Sequence, residues 1–511
     1  MLLSLLFCIN SFAEIIDVTI DNPSEWRAYD SKKWSGDTVR FLCPMYVTNN
    51  YFSNQLSIAT QRLYSPTNQC EPGSAAMITM QSHNSSAQVS LTGVSGYHRV
   101  AERIDGLVAK ISDYNVWQFI SADGWHGTRE DVMQPPSVDG DSTHTLLVCA
   151  WNLEYYLVEN LGTGFGPDNQ EQHELQRTKI QKALNKINAD IYAFCEVEQG
   201  QSALSELAGI MGDNYTFIND GGVPYSSYIK VGYVYDSTKV ETIGTLQNNN
   251  TSYQHRKKMI TFREKATGES FILSVNHFKA KSGSGSGADA DQGDGQGIFN
   301  AARTAEAKSV ITAYEKYSKL IGEKDILIVG DLNAYAKEDP ITTFTDLGYV
   351  DLHNAYHADS SYSYVFRGIL GYLDHAIANP SMSRQITGMS AWHINSPENN
   401  RYHYSDTTAY DSTMFRSSDH DPLLIGLRLN NQDTKIQEVC LANDIYPTDG
   451  RQFRLQNADG GYYRIYSVSG ILVSSGAISG DNFLLPSLSN GLYILDVFAN
   501  EEKKQFKLIV R

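Results

Sequence analysis

Nine polar residues of this chain stand where an apolar run gives way to a polar, loop-like stretch. In chain order they are Asn152 and Glu154 in WNLE, Glu196 in FCEVE, His277 in VNHFKAK, Asp331 and Asn333 in VGDLNAY, Asp374 in YLDH, and Asp419 and His420 in SSDHDP. A sheet can hold a carboxylate or a histidine rigidly at the end of a strand, as metal ligands and acid/base groups require. The pattern therefore predicts a site for metal-assisted or acid/base chemistry.

Two of the carboxylates are candidate metal ligands on the sequence alone. Glu196 follows the apolar residues Ala193-Phe194-Cys195, where an unpaired carboxylate would be costly to desolvate without a cation. Glu154 lies two residues after Asn152, on the same face of a strand, and could complete the ligand set. Oxygen ligands of this kind suit Mg²⁺, with Mn²⁺ or Ca²⁺ as substitutes.

The order and types of these motifs resemble those of the endonuclease/exonuclease/phosphatase superfamily, which includes pancreatic-type deoxyribonucleases, abasic-site endonucleases and sphingomyelinases. The resemblance implies that Asp331 deprotonates the attacking water and that Asn333 donates a hydrogen bond to the phosphate. It implies that His277 protonates the leaving oxygen, as in the deoxyribonuclease branch, and that Asp374 holds His420. It further implies a metal or water ligand at Asp419 and a catalytic role for Asn152.

Basic residues follow several of these motifs and could contact phosphates without reading bases. Arg177 and Lys279 are the predicted phosphate contacts; the other basic residues are Lys179, Arg256-Lys257-Lys258, Lys281 and Arg303. The net charge of −17 disfavours tight electrostatic binding of a polyanion, so metal ions and local basic patches would have to offset it. Arg256-Lys257-Lys258 could equally be a solvated loop.

The elements that position these residues alternate between strand and helix. Thr145–Ala150 predicts a buried strand, helical spacing follows at Leu175, Ile180 and Leu184, and Ile191–Cys195 returns to strand. Similar alternation to about residue 430 predicts an α/β catalytic domain over 141–430. The superfamily resemblance implies a four-layer α/β sandwich, in which two sheets pack face to face with helices outside.

The catalytic segment is flanked by sequence of other character. Residues 14–140 show short strand-like runs between Asn, Ser, Pro and Gly clusters, which predicts a small all-β, barrel-like accessory domain. Residues 431–445 are a predicted linker. Residues 446–511 predict a β-sandwich, and their IYSVSG, PSLSNGLYIL and KLIVR segments resemble the C-terminal sorting domain of the type IX secretion system of Bacteroidetes.

The start of the chain predicts export. Residues 1–13 read as a signal peptide, with a short apolar run and a small-x-small site before Glu14. We expect a secreted protein, extracellular or on the outer-membrane surface, that engages the type IX machinery. After residue 13 no apolar run approaches the ~18 residues of a membrane helix, so no membrane span is expected.

Two local features leave alternatives open. The loop at 282–297 carries Asp289, Asp291 and Asp294, so it is either a structural Ca²⁺ site or a solvated mobile loop. Cys43 and Cys70 could form a disulfide, whereas Cys149 and Cys195 read as buried small hydrophobes.

Together these features predict a secreted, divalent-metal-dependent phosphodiesterase, specifically a low-specificity endonuclease that hydrolyses DNA, with RNA left open as a second substrate. A phospholipid or inositol-phosphate phosphodiesterase on the same scaffold is one alternative. A non-catalytic adhesin or binding protein is the other, although Glu196, Asp331 and His420 are all present.

Overall fold

The structure is a computed structural model. It describes residues 14–52, 54–112, 114–221, 227–248, 256–406 and 409–429, and beyond these 445–447, 452–455, 461–479, 482–484, 488, 491–499 and 502–510. The predicted signal peptide and almost all of the predicted linker lie outside the described residues. Residues up to Leu429 belong to one compact unit, and Asn430–Arg511 form a second.

The N-terminal part of the first unit is built on a nine-stranded sheet in the order β1-β2-β7-β8-β5-β4-β3-β6-β9. Its strands are β1 (Ile15–Val18), β2 (Thr38–Phe41), β3 (Met45–Phe52), β4 (Gln55–Ala59), β5 (Val89–Thr92), β6 (Arg103–Asp105), β7 (Val108–Ile111), β8 (Val116–Ser121) and β9 (Gly124–His126). The sheet curls around a core in which Phe41 stacks on Trp117 at 4.7 Å between ring centroids.

This region is not all-β, because two helices, α1 (Pro66–Gln69) and α2 (Ala75–Ser86), lie between β4 and β5. The α2 sequence buries only Met77, His83 and Asn84, so it lacks the apolar period by which a helix is recognised. The Ser74 side chain nevertheless caps it by accepting a hydrogen bond from the Met77 amide.

Two six-stranded sheets follow. The first has the order β12-β13-β11-β10-β23-β22 and the second the order β14-β15-β16-β17-β21-β18. The first sheet contains β10 (Leu146–Tyr156), β11 (Ile191–Glu198), β12 (Tyr215–Phe217), β13 (Ile229–Asp236), β22 (Ile386–Ala391) and β23 (Leu423–Leu427). The second contains β14 (Val240–Asn248), β15 (Lys257–Glu264), β16 (Ser270–Asn276), β17 (Ile326–Asp331), β18 (Val350–Asp351) and β21 (Asp374–Ala378). The hairpin β19 (Tyr364–Phe366) and β20 (Ile369–Gly371) stands apart from both.

The two sheets share one apolar core. Val148 and Ala193 of the first sheet and Leu273 and Val329 of the second belong to the same buried cluster. The outer face of the first sheet is covered by helices α3 (Gln170–Ile187) and α4 (Ser202–Met211). The outer face of the second is covered by α5 (Asn300–Ile321) and α6 (Asp339–Thr345). The predicted mixed α/β fold with several sheets is confirmed.

Short elements complete the first unit: α7 (Leu352–His357), α8 (Pro380–Ser383) and 3₁₀ turns at Ala28–Trp34, Glu130–Val132, Gly287–Asp289, Ala358–Ser360 and Asn400–Tyr402. None of the helices in the described ranges combines the length and the apolar character needed to span a bilayer.

Buried charges join the N-terminal sheet to the rest of the first unit. The Glu398 carboxylate, with a fully buried side chain, pairs with Arg99 at 3.1 Å and with Arg129 at 2.6 Å. Thr67 Oγ1 donates to Glu338 Oε1 at 2.8 Å at a second point of contact. The two parts are therefore packed as one body rather than tethered by the Pro135-Pro136 segment.

The loop at 282–297 is part of this junction, and a calcium site there stays a prediction. Asp289 Oδ1 accepts a hydrogen bond from the Ala302 amide at the start of α5, and Asp291 Oδ1 accepts one from Gly293. The Asp294 backbone carbonyl accepts from the Gly73 amide of the N-terminal region. These carboxylates bind local amides and do not converge on a common point.

Among the described cysteines, Cys43, Cys149 and Cys195 are free thiols. No disulfide joins Cys43 to Cys70 among the described residues, and Cys43 packs at the edge of the N-terminal core instead. Cys149 and Cys195 are fully buried, in agreement with the prediction that they are small core residues.

The regular elements described in the second unit are all strands. β24 (Ile445–Pro447), β25 (Gln452–Leu455) and β28 (Asn482–Leu484) form one sheet. β26 (Tyr462–Ser467), β27 (Leu472–Ala477), β29 (Gly491–Ala499) and β30 (Glu502–Val510) form another. Ile465, Ile478, Leu495 and Val497 are its buried apolar residues among those described. The predicted pattern of strands between Gly, Ser and Asn turns is confirmed in these ranges.

Candidate active site

The side-chain amide of Asn152 forms hydrogen bonds with carboxylates of both central sheets, at the ends of their middle strands. Asn152 of β10 donates through Nδ2 to Glu196 Oε1 on the neighbouring β11 at 3.2 Å and to Asp331 Oδ2 at the end of β17 at 3.1 Å. β10 and β11 are parallel, as are β16 and β17, so each pair delivers its carboxyl ends to one edge. This geometry brings together residues that lie 179 positions apart in sequence.

The backbone leaves regular strand geometry where these side chains are presented. Glu154, Tyr155, Glu196 and Asn333 all have left-handed backbone angles, with φ between 49° and 58°. Such angles cost roughly 1–2 kcal/mol per non-glycine residue, so the surrounding contacts must hold them in place. One of those contacts is the hydrogen bond from the Tyr155 amide to Glu196 Oε2 at 3.1 Å. The bends turn polar groups of adjacent residues toward one point.

Glu196, His277 and Asp331 form a compact donor group. One ligand atom from each lies within 4.8 Å of the others, and His277 Nε2 is 3.5 Å from Glu196 Oε1 and 3.6 Å from Asp331 Oδ2. Burial, with the charge of Asp419 second, raises the pKa of Glu196 to about 8. Burial likewise raises the pKa of Asp331 to about 7. A divalent cation beside these two acids would offset the cost of ionising them.

The state of His277 fits the same conclusion. Burial, helped by the nearby charge of Arg256, lowers the pKa of His277 well below its usual value, so the imidazole is neutral. Its Nδ1 is buried and has no hydrogen-bond partner among the described residues. A neutral imidazole beside two carboxylates is a suitable ligand set for a divalent cation.

His420 is the cationic histidine of the site. Its Nδ1 lies 2.7 Å from Asp374 Oδ2, and its Nε2 lies 3.8 Å from both Asp331 Oδ2 and Asp419 Oδ1. Burial acts to lower the pKa of His420, but the charges of Asp374, Asp419 and Asp331 raise it well above the usual value. Ser363 Oγ donates to Asp374 Oδ2 at 2.7 Å and thereby fixes the carboxylate that orients the ring.

Asn333 is held against Asp331. Its amide N–H donates to Asp331 Oδ1 at 2.8 Å, and its side-chain Nδ2 donates to the Phe278 carbonyl at 3.2 Å. The turn after β17 therefore fixes one oxygen of Asp331 and leaves Oδ2 facing Asn152, His277 and His420.

Glu154 and Asp419 lie at the rim of the donor group. Glu154 Oε2 is 3.1 Å from His403 Nε2, and this pair makes Glu154 part of an ion pair rather than of the three-residue donor group. Burial, followed by the charge of Glu154, raises the pKa of Asp419. Glu154 and Asp419 are thus close enough to repel each other beside the cluster, and their role as metal ligands stays a prediction.

The two predicted phosphate contacts, Lys279 and Arg177, lie in different surroundings. Lys279 lies over the Phe299 ring at 4.3 Å, and its charge is felt by His277, so it stands beside the cluster. Arg177 on α3 pairs with Glu174 at 3.0 Å and Glu206 at 3.6 Å. Most other basic residues of the region bind acidic groups or carbonyls within the protein, as Lys258 does by pairing with Asp220.

Three further residues of the site are not indicated by the sequence pattern. The Tyr364 ring lies 4.8 Å from the ring of His420, His403 pairs with Glu154, and Arg416 places its charge beside Asp419 and Glu154. They come from the β19–β20 hairpin and from the long connection between β22 and β23. No apolar strand precedes them, so the strand-end signal that marks the other residues is missing.

No protein-family model matches the chain. No curated protein matches it in sequence. Among solved structures, an endonuclease/exonuclease/phosphatase from Bacteroides vulgatus is 16% identical, covers 56% of this chain and 99% of its own, and has a TM-score of 0.39. The human Nocturnin catalytic domain with bound sulfate is 16% identical, with coverages of 56% and 94% and a TM-score of 0.38. A mannosyl-6-phosphatase from Bacteroides thetaiotaomicron is 16% identical, with coverages of 56% and 100% and a TM-score of 0.38. Each of these TM-scores lies below 0.5, so the chemistry of this chain is inferred from its own side chains.

Proposed function

We propose that this chain is a divalent-metal-dependent phosphodiesterase of the endonuclease/exonuclease/phosphatase superfamily, acting as a low-specificity nuclease on DNA and also on RNA. The observation that carries the proposal is the Asn152 amide that joins Glu196 and Asp331 beside the His420–Asp374 pair. Two sheets with a shared core and outer helices support the four-layer sandwich of that superfamily.

Glu196 and His277 would hold the cation at the edge of the donor group, with Asp331 beside them. When bound, a divalent cation supplies charge stabilisation to the phosphate oxygens and lowers the pKa of bound water. The carboxylate oxygens of this set suit Mg²⁺ or Mn²⁺. We assign His277 to the cation because its Nε2 lies 3.5 Å from Glu196 Oε1 and 3.6 Å from Asp331 Oδ2 within the donor group.

The other residues around the cation have separate roles in the proposed reaction. Asp331, with a pKa of about 7, can accept the proton of the attacking water through Oδ2. Asn152 orients that carboxylate by donating to the same oxygen. His420 carries a positive charge toward the growing negative charge of the phosphate, while Asp374 fixes its tautomer and position.

Nucleic acid is the proposed substrate because the charges beside the cluster suit a phosphate backbone. Lys279 and Arg256 are both close enough to depress the pKa of His277, and basic side chains there can contact phosphates. The proposal includes export to the cell exterior, supported by the signal-like sequence of residues 1–13 and by the strand-built second unit.

One assay separates the candidate substrates. The full chain is incubated with supercoiled plasmid, single-stranded DNA, RNA, sphingomyelin and an inositol phosphate, each with Mg²⁺, Mn²⁺ or EDTA. We expect nicked circular plasmid with either metal and none in EDTA. Hydrolysis of sphingomyelin or inositol phosphate without cleavage of nucleic acid would contradict the nuclease proposal, and activity on none of the substrates would favour a binding protein.

A further inference from the structure

An exposed aromatic surface begins at the edge of the cation site. The Tyr155 amide is bonded to Glu196, and the Tyr155 ring stacks on Phe165 at 5.1 Å between centroids and 16° between planes. Tyr228 follows at 6.5 Å from Phe165. Phe165 is 51% exposed and Tyr228 42% exposed. We call these three rings the aromatic platform.

The loop that carries Phe165 is fixed by buried groups. The Glu198 carboxylate is 1% exposed and accepts hydrogen bonds from the amides of Val158, Glu159 and Asn160 at 2.7 to 3.2 Å. Gly166, at φ +64°, lies so close to the strand that a Cβ there would meet the Tyr155 carbonyl at 2.6 Å. The buried Glu198 carboxylate and Gly166 thus keep the Phe165 ring exposed to water. Exposing an apolar ring in this way is unfavourable by itself.

We propose that the aromatic platform stacks on an unpaired nucleobase of a single-stranded nucleic acid whose phosphate lies at the cation site. This inference rests on the proposed function and deepens it, because it makes single strands the preferred substrate. A base in a duplex presents only its edges, whereas a flat exposed ring next to a phosphate site offers a face to an unstacked base. Stacking is tolerant of base identity, which agrees with low sequence specificity.

Charge around the platform supports this occupant. The Tyr155 amide donates to Glu196 Oε2 at 3.1 Å, and the Arg256 carbonyl accepts from the His277 amide at 2.7 Å, so a basic residue adjoins the same donor group. A nucleotide stacked on Phe165 would therefore have the proposed cation site on one side of it. A lipid chain would pack against the exposed rings, but it would not account for the phosphate-binding charge that lies next to them.

The test compares Phe165→Ala with Tyr114→Ala, which removes an aromatic ring that is 85% exposed in the N-terminal sheet region. Substrates are a single-stranded oligodeoxythymidylate and an oligomer of equal length with abasic sugars at every position. We expect Phe165→Ala to raise KM for oligodeoxythymidylate about tenfold, the scale of one lost base stack, with little change in kcat. The abasic oligomer should be cleaved equally by wild type and Phe165→Ala, Tyr114→Ala should behave as wild type, and Phe165→Trp should restore KM.

Binding of the same labelled oligomers, followed by fluorescence anisotropy in an Asp331→Asn background with Mg²⁺, gives a readout that needs no turnover. Equal effects of Phe165→Ala on both oligomers, or no effect on either, would overturn the platform while leaving the nuclease proposal intact. Failure of the wild type to bind or cleave any nucleic acid would overturn both.

Discussion

Asp331 and Asp374 stand directly opposite each other on the antiparallel strands β17 and β21. Two like charges in such a pair repel, and here both side chains are buried. His420 offsets the repulsion, because its Nδ1 is bonded to Asp374 at 2.7 Å and its Nε2 faces Asp331 at 3.8 Å. The histidine therefore stabilises the fold and the proposed chemistry through the same two contacts.

Replacement of His420 should expose this coupling. We expect His420→Ala and Asp374→Asn each to lower kcat on plasmid by about a hundredfold or more, because each removes part of one charge-stabilising unit. The double variant should be little worse than His420→Ala alone, since residues acting as a unit are not additive. Steady-state kinetics measure all three, with His126→Ala on the N-terminal sheet as the control. A double variant whose losses multiply would mean that the two residues act separately.

A bound cation should raise the thermal stability of the protein. Mg²⁺ or Mn²⁺ at about 100 times Kd contributes about 2.7 kcal/mol to the folded state, which for a unit of this size corresponds to a rise in Tm of roughly 3 °C. Calorimetry with and without EDTA measures the shift. Glu196→Gln should abolish the shift, whereas Glu241→Gln, in an exposed pair with Arg263, should keep it. An equal rise in wild type and Glu196→Gln would place the cation elsewhere.

Loss of Glu398 should destabilise the first unit as a whole. Glu398→Ala leaves Arg99 and Arg129 without their shared carboxylate, and breaking one side of a buried pair costs about 3–5 kcal/mol. Urea unfolding followed by tryptophan fluorescence should show one transition at lower midpoint. Glu241→Ala should move the midpoint little, because exposed pairs contribute only about 0.2–1 kcal/mol. Separate transitions in wild type would show that the N-terminal sheet folds independently.

Removal of the second unit should leave hydrolysis intact. A chain ending at Leu429 contains every residue of the candidate site and the whole first compact unit. We expect kcat and KM on plasmid within about twofold of the full chain, and retention of the truncated protein inside its native host. Fractionation of the host culture by activity measures the second outcome. Normal release of the truncated chain would contradict a sorting role for residues 446–511.

The sequence identified the site residues that terminate strands and missed those that do not. Glu196, His277 and Asp331 end apolar runs, and the two sheets then bring them within 4.8 Å of one another. His403 and Arg416 lie in a long irregular connection whose path depends on tertiary packing, so no local pattern marks them. Helix α2 was missed for a related reason, because its contacts with the rest of the first unit replace the apolar stripe that a lone amphipathic helix needs.

The β19–β20 hairpin connects the N-terminal sheet to His420. Leu370 exchanges backbone hydrogen bonds with Leu63 and Ser65, Gly368 passes so close to Thr48 that no side chain would fit, and Tyr364 pairs with His420. A fragment beginning at residue 141 would retain every proposed catalytic group but lose the strand segment that braces this hairpin. The N-terminal region therefore holds in place the hairpin that contacts His420. Replacing this region with an unrelated module would leave the proposed cation ligands unchanged but would position His420 less firmly.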